Sequence, residues 1–178
     1  MTKVKTILSV WIGNLGDYNA GILRGDWFDL DNYDLDELEA AVNELTNDGR
    51  NDYYIADTMS DYNIPVDEYE NLESLYAKYM TVQDIIEQYG DNAADIIAAY
   101  TNTISDDLEH IYSYEFYIYS DCYTMADVAF EYLDQTGGLE EIPEHLRNYF
   151  DYESYGRDME IEGTFYYTGG GVYIEIVG

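Results

Sequence analysis

The chain has 178 residues, with 38 Asp plus Glu against 7 Lys plus Arg, giving a formal net charge of −31 at pH 7. With 47% hydrophobic and 16% aromatic residues it is not a disordered acidic tail, and its charge argues against nucleic-acid binding, because a duplex and this surface repel each other. The single cysteine, Cys122, precludes an internal disulfide and favours a cytoplasmic setting, while no apolar run reaches the ~18 residues of a membrane span and no signal peptide is expected behind Lys3 and Lys5.

In chain order, Lys5–Ile12 reads as a strand, since Ile7, Leu8, Val10, Trp11 and Ile12 are strand formers. Residues 13–21 are rich in turn formers and read as a loop. Ile22–Leu30, with Trp27 and Phe28, reads as a second strand, completing a long-looped hairpin. Asp34 then caps a helix to about Asn47. Leu35, Leu38, Val42 and Leu45 fall on one stripe of it, and Asp36, Glu37, Glu39 and Glu44 on the opposite, solvated side. Asp52–Thr58 is a third strand, and this first α+β unit spans 1–63.

The middle, 64–103, reads as a small all-α unit. Leu72, Leu75, Tyr76 and Tyr79 make one helical stripe. Thr81 is expected to cap a second helix, Val82–Tyr89, stopped by Gly90, and Asp91 a third, Ala93–Tyr100. Short helices of this kind need one another to persist. The last α+β unit, 104–178, opens with a helical turn over Ser105–Leu108. Tyr114–Tyr119 is a strand, and Thr124–Gln135 a helix ended by Gly137. Pro143 starts a short helix, and Ile161–Thr168 with Val172–Val177 forms a hairpin around Gly169–Gly171. No internal repeat and no low-complexity linker interrupts this order.

The charge needs a cause, because a magnitude of about 2–8 already keeps a small domain soluble. A salt-loving origin explains the acidity but not 22 tyrosines. Calcium loading is tested by spacing: from Asp29, the fifth, sixth and twelfth positions are Tyr33, Asp34 and Ala40, so an EF-hand loop fails three times. Imitation of a polyanion fits in magnitude, since duplex DNA carries one charge per about 1.7 Å of axis and 31 charges would cover about 53 Å, roughly 15 base pairs. Ordinary secondary structure can space carboxylates in this way: about 6 Å for i and i+4 on a helix, about 6.7 Å for i and i+2 on a strand. Any single acid is most simply solvated surface; the signal is the collective imbalance.

Catalytic constellations are missing. His110 and His145 lack partners at metal-ligand spacing, and no nucleophile elbow or phosphate-binding P-loop is present. Asp121 and Glu131 would raise rather than lower the pKa of Cys122, so a packed thiol is expected. No metal and no cofactor is expected. The cluster Tyr112, Tyr114, Tyr117, Tyr119 and Tyr123 reads equally well as core packing or as a subunit interface.

Three long segments then match one family in order: Trp11–Leu30 (WIGNLGDYNAG followed by GDWFDL), Ser120–Gly138 and Ile142–Phe165. The chain resembles the ArdA antirestriction proteins over nearly its whole length, least over about 60–110. Asp31 departs from the Pro of many relatives after the WFDL segment. The resemblance implies an elongated, curved homodimer of three small units per chain, encoded on mobile genetic elements. It implies a protein that imitates bent B-form DNA and occupies the DNA-binding groove of type I restriction–modification enzymes, protecting incoming DNA from cleavage; such proteins can also block modification. It places the dimer contact in the C-terminal unit.

The expected fold is therefore α+β in three units, and the expected activity is non-enzymatic. The expected partners are a type I restriction–modification enzyme and a second copy of the chain, with no nucleic acid and no membrane. The mimic surface is assigned to Asp26, Asp29, Asp31, Asp34, Asp36, Glu37, Glu39 and Glu44, with Glu70, Glu73, Asp84, Glu87, Asp91 and Asp95 from the middle. Dimer contact is assigned to Tyr112, Tyr114, Tyr117 and Tyr119. An acidic adaptor for a basic partner that does not compete with DNA, and an acid/base enzyme, are the alternatives. Competition with duplex DNA separates the first from a mimic; abolition of activity by one neutralised carboxylate marks the second.

Overall fold

In the computed structural model, which describes residues 5–47 and 52–178, three strands near the N-terminus form an antiparallel sheet in the order β2-β1-β3. These are β1 (Ser9–Asn14), β2 (Gly25–Asp29) and β3 (Tyr53–Met59). Residues 1–4, where the signal-peptide reading begins, lie outside the described residues. Val10 and Ile12 of β1 are fully buried, whereas Trp11 between them is half-buried, which is the period-2 alternation of a strand with one face on a core. A bulge shifts the pairing between Trp11, opposite Asp57, and Ile12, opposite Ile55.

The segment expected as an open loop contains a short helix, α1 (Leu15–Asn19), because the Asn14 side chain accepts from the backbone N–H of Asp17 at 2.9 Å and nucleates the turn. The second strand is accordingly shorter than expected and ends in a 3-10 turn, Leu30–Asn32, capped by Asp29. Helix α2 (Leu35–Leu45) follows, with the expected cap completed as a capping box: Asp34 accepts from the Glu37 N–H at 2.8 Å, and Glu37 accepts from the Asp34 N–H at 3.1 Å. Its buried residues are Leu38 and Val42.

The two helices expected on either side of Thr81 are one, α3 (Leu72–Tyr89), capped by Asn71. Thr81 lies mid-helix, half-buried, between the buried Tyr79 and Val82; tertiary packing holds the turn that local propensity would have broken. Gly90, at φ +56°, ends the helix as expected. A 3-10 turn over Gly90–Asn92 leads into α4 (Ala93–Thr103), in which Ile96, Ile97 and Tyr100 are buried.

A 3-10 helix at Leu108–Ser113 precedes the second sheet, β4 (Glu115–Ser120), β5 (Thr164–Tyr167) and β6 (Val172–Val177), antiparallel in the order β4-β6-β5. Its tyrosine-bearing side packs on a cluster of Tyr119, Cys122 and Val128 with Met125, Met159, Phe165 and Tyr173. Helix α5 (Met125–Gln135) carries the expected Thr124 cap, and a short helix α6 (Gly138–Glu141) follows Gly137. The short helix expected from Pro143 is a 3-10 turn, Glu144–Tyr149. Helix α7 (Tyr152–Glu162) takes up Ile161, which the sequence reading had placed in the hairpin. Asp151 caps it, accepting from the Ser154 N–H at 3.0 Å and hydroxyl at 2.7 Å. It packs on α5 so closely that a β-carbon on Gly156 would strike the Met125 carbonyl.

Helices and two small antiparallel sheets make this an α+β chain. It divides into two compact units, residues up to Ile97 with Asp107–Glu109, and Ala98–Asp106 with His110–Gly178.

Candidate functional site

Every acid assigned to the candidate surface belongs to the first unit. On α2 the apolar stripe turns Leu38 and Val42 inward, which leaves Asp36, Glu37 and Glu44 exposed and Glu39 half-buried. Upstream, Asp26, Asp31 and Asp34 are exposed and Asp29 half-buried. Asp29 accepts from the Asp31 N–H at 3.3 Å and from the Asn32 amide at 3.2 Å. On α3 Glu73, Asp84 and Glu87 are exposed; beyond it Asp91 is exposed and Asp95 half-buried.

Two tyrosines show which of these acids the fold brings together. The hydroxyl of Tyr79 on α3 donates to Asp31 at 3.0 Å. Burial, then that bond and the charges of Asp31 and Asp29, push its pKa up to about 12. The Tyr53 phenol is raised first by burial and then by the charges of Glu70, Glu73 and Glu39, against the lowering effect of a backbone hydrogen bond. Acids from the α2 region and from α3 thus converge in space although 30 or more positions separate them.

Glu70 does not belong to the exposed set. It is 8% exposed, and its carboxylate is held by Lys78 Nζ at 2.8 and 3.0 Å, by the Ser74 hydroxyl at 2.7 Å and by the Asp67 N–H at 3.2 Å. Lys78 also donates to the Pro65 carbonyl at 2.8 Å. A buried carboxylate must be paired and hydrogen-bonded to remain charged, and all its local partners are internal. The remaining thirteen acids keep their solvent-facing or partly solvent-facing positions.

The tyrosines assigned to dimer contact split in the same way. Tyr112 is 56% and Tyr117 49% exposed; Tyr117 donates to Glu115 at 2.9 Å. Tyr114 is half-buried, edge-on to Tyr100 with ring centroids 5.5 Å apart. Tyr119 is a core residue, 3% exposed, whose hydroxyl donates to Glu175 at 2.7 Å. Burial and Glu175 raise its pKa strongly. Tyr119 is thus spent on the interior of its own unit and offers no surface to a partner. All four lie in or beside β4, an edge strand of the second sheet.

Cys122 is buried, and burial foremost, then Asp127, Glu131 and Asp121, push its thiol pKa up, the opposite of an activated nucleophile. His110 and His145 are exposed. Among the described residues no group of three His, Cys, Asp or Glu side chains is arranged to hold a metal ion, and no helix is long and apolar enough to cross a membrane.

The sequence reading missed one surface. Cross-strand register sets Trp27, Trp11 and Asp57 side by side across the first sheet, on the side away from Val10 and Ile12. The signal was the odd spacing of Trp11 from Val10 and Ile12, but the partner positions needed the register. Comparison with protein families matches the model of the antirestriction protein ArdA over residues 10–174 of the 178. No individual curated protein matches the chain significantly.

Proposed function

Starting from the fact that this chain belongs to the ArdA antirestriction protein family, we propose that it imitates B-form DNA and occupies the DNA-binding groove of a type I restriction–modification enzyme. The observation that carries this reading is a charge of −31 combined with thirteen assigned carboxylates of the first unit at solvent-facing or partly solvent-facing positions, while Lys78 on α3 is drawn inside onto Glu70. Such a surface meets the Lys and Arg that otherwise hold phosphates. The proposed assembly is a homodimer joined through the second unit, with Tyr112 and Tyr117 at the contact, acting in the cytoplasm. The three-way partition at 63 and 103 is retained as the proposed division of labour along the mimic. No step of the reading requires a catalytic residue.

The test is DNA cleavage by a purified type I enzyme with and without the protein, paired with competition by duplex DNA and a mass measurement of the oligomer. Mutual exclusion of the protein and DNA is expected, with an affinity that weakens as salt rises but less steeply than that of DNA, since no condensed counterion atmosphere of the DNA type is released. A ternary complex of enzyme, DNA and protein would overturn mimicry in favour of an acidic adaptor, and a salt-independent affinity would remove its electrostatic basis.

A further inference from the structure

We propose that the open side of the β2-β1-β3 sheet is a seat for an arginine side chain of the basic partner, an assignment that rests on the reading above and adds to it a contact that is not charge alone. The chain has two tryptophans, and the register makes them direct neighbours on this side: Trp11 pairs with Trp27 on β2 and with Asp57 on β3. In the next row Ser9 pairs with Asp29 and with Met59. Residues paired across adjacent strands stand about 5 Å apart and successive rows about 6.7 Å. The indoles therefore have a carboxylate at the end of their own row, Asp57, and another in the row beside it, Asp29.

Glycines shape this side. A β-carbon on Gly25 or on Gly13 would collide with the Trp11 ring, so the indole lies against bare backbone of both strands. That position fixes the ring and leaves it half-buried. Trp27 is 40% exposed and Asp57 is exposed, with one carboxylate oxygen accepting from the Thr58 N–H at 2.8 Å. Arg24, the cation next to β2, is engaged with Asp17 at 3.6 Å.

Carboxylates suffice to imitate phosphates; exposed indoles do not help that task and cost solubility. Indole is the best cation–π face among side chains, and Trp is enriched where interfaces concentrate their energy. A guanidinium is planar and weakly hydrated, so it can lie flat on Trp11, whose cross-strand neighbour is Asp57, or on Trp27, with Asp29 two positions along the same strand, and offer its N–H fork to the carboxylate beside it. An ammonium is compact and strongly hydrated and gains less from the same surface. The chemistry selects arginine over lysine.

Tryptophan emission reports on the seat directly, because both indoles are in it. Heptaarginine and heptalysine are titrated separately into wild type, Trp27→Ala and Asp57→Asn, with circular dichroism confirming that each variant is folded. Heptaarginine is expected to perturb wild-type emission at lower concentration than heptalysine, and this preference is expected to shrink in both variants. With the purified type I enzyme, the complex is expected to protect wild-type emission from acrylamide, and Trp27→Ala is expected to weaken binding by roughly tenfold with its salt slope unchanged. Trp27→Tyr, which keeps an aromatic face, is expected to recover most of the loss. If the enzyme binds wild type and Trp27→Ala equally and leaves the indoles open to acrylamide, the seat is refuted while DNA mimicry stands. If the enzyme binds neither protein, mimicry is refuted, and equal responses to the two peptides would then refute the seat as well.

Discussion

The first unit carries Asp57 on the tryptophan side of its sheet and turns Asp36 and Glu44 of α2 to water, whereas in the second unit three carboxylates, Glu175, Asp127 and Asp151, are bound to hydroxyls or backbone N–H groups of their own fold. There Glu175, on the central strand β6, receives the buried hydroxyl of Tyr119 at 2.7 Å, Asp127 completes the capping box that Thr124 opens on α5, and Asp151 caps α7. The same residue types thus have two different uses. Acids that face water can be removed with little effect on folding and a cumulative effect on binding; acids bound to hydroxyls and backbone N–H groups affect folding first.

The largest expected effect comes from the exception within the first unit. Lys78→Met would strand Glu70 as a buried carboxylate without its cation, at a cost of about 3 kcal/mol in denaturant unfolding, while Lys78→Met combined with Glu70→Gln should recover most of that loss. Recovery separates an unpaired charge from simple loss of packing.

A smaller effect should appear in the second unit. Asp127 accepts from the Thr124 hydroxyl at 2.8 Å and from the N–H groups of Thr124 and Tyr123 at 2.8 and 3.0 Å. These bonds, the Thr124 hydroxyl foremost, hold its carboxyl below the usual aspartate range. Asp127→Asn should cost about 1 kcal/mol at neutral pH. Because the folded-state pKa is the depressed one, the gap between wild type and variant is complete above the unfolded pKa near 4 and closes as pH falls through the folded value. Paired denaturation curves at pH 7 and pH 3 measure it; a gap that persists unchanged at pH 3 would show that ionisation is irrelevant to the cap.

The smallest effect on stability should come from α2. Asp36→Asn with Glu44→Gln is expected to shift unfolding by less than about 0.5 kcal/mol. In the competition assay the same pair should weaken enzyme binding about two- to threefold per carboxylate. A large stability change there would erase the contrast between the units.

Local rules were enough where one signal governed. Asp34 with Glu37 and the stripe Leu35, Leu38, Val42 made α2 legible almost to the residue. Helix α7 escaped because its inward positions are Tyr152, Tyr155 and Met159 around Gly156, a poor apolar stripe whose helix is stabilised by close packing on α5. Thr81 resembled a cap only in isolation from Leu75 and Val82, which bury the same face on both sides of it. In the candidate surface, Glu70 was misassigned although Ser74 and Lys78 follow at helical i+4 and i+8 spacing and could have flagged an internal network. The Trp11–Trp27 row was out of reach for a different reason: hairpin register depends on the turn, and the turn contained an unexpected helix.

A phenol steadies a carboxylate without cancelling it. Tyr79 on Asp31, Tyr117 on Glu115 and Tyr119 on Glu175 satisfy acids with donors that carry no charge, where lysine or arginine would have subtracted from the total. Free carboxyls titrate near pH 4 and free phenols near 10, and each of these three phenols is shifted further upward. The phenols therefore stay protonated across the range in which a cell lives, so the donors that steady these acids add no charge through swings of cellular acidity that would switch a histidine in the same place.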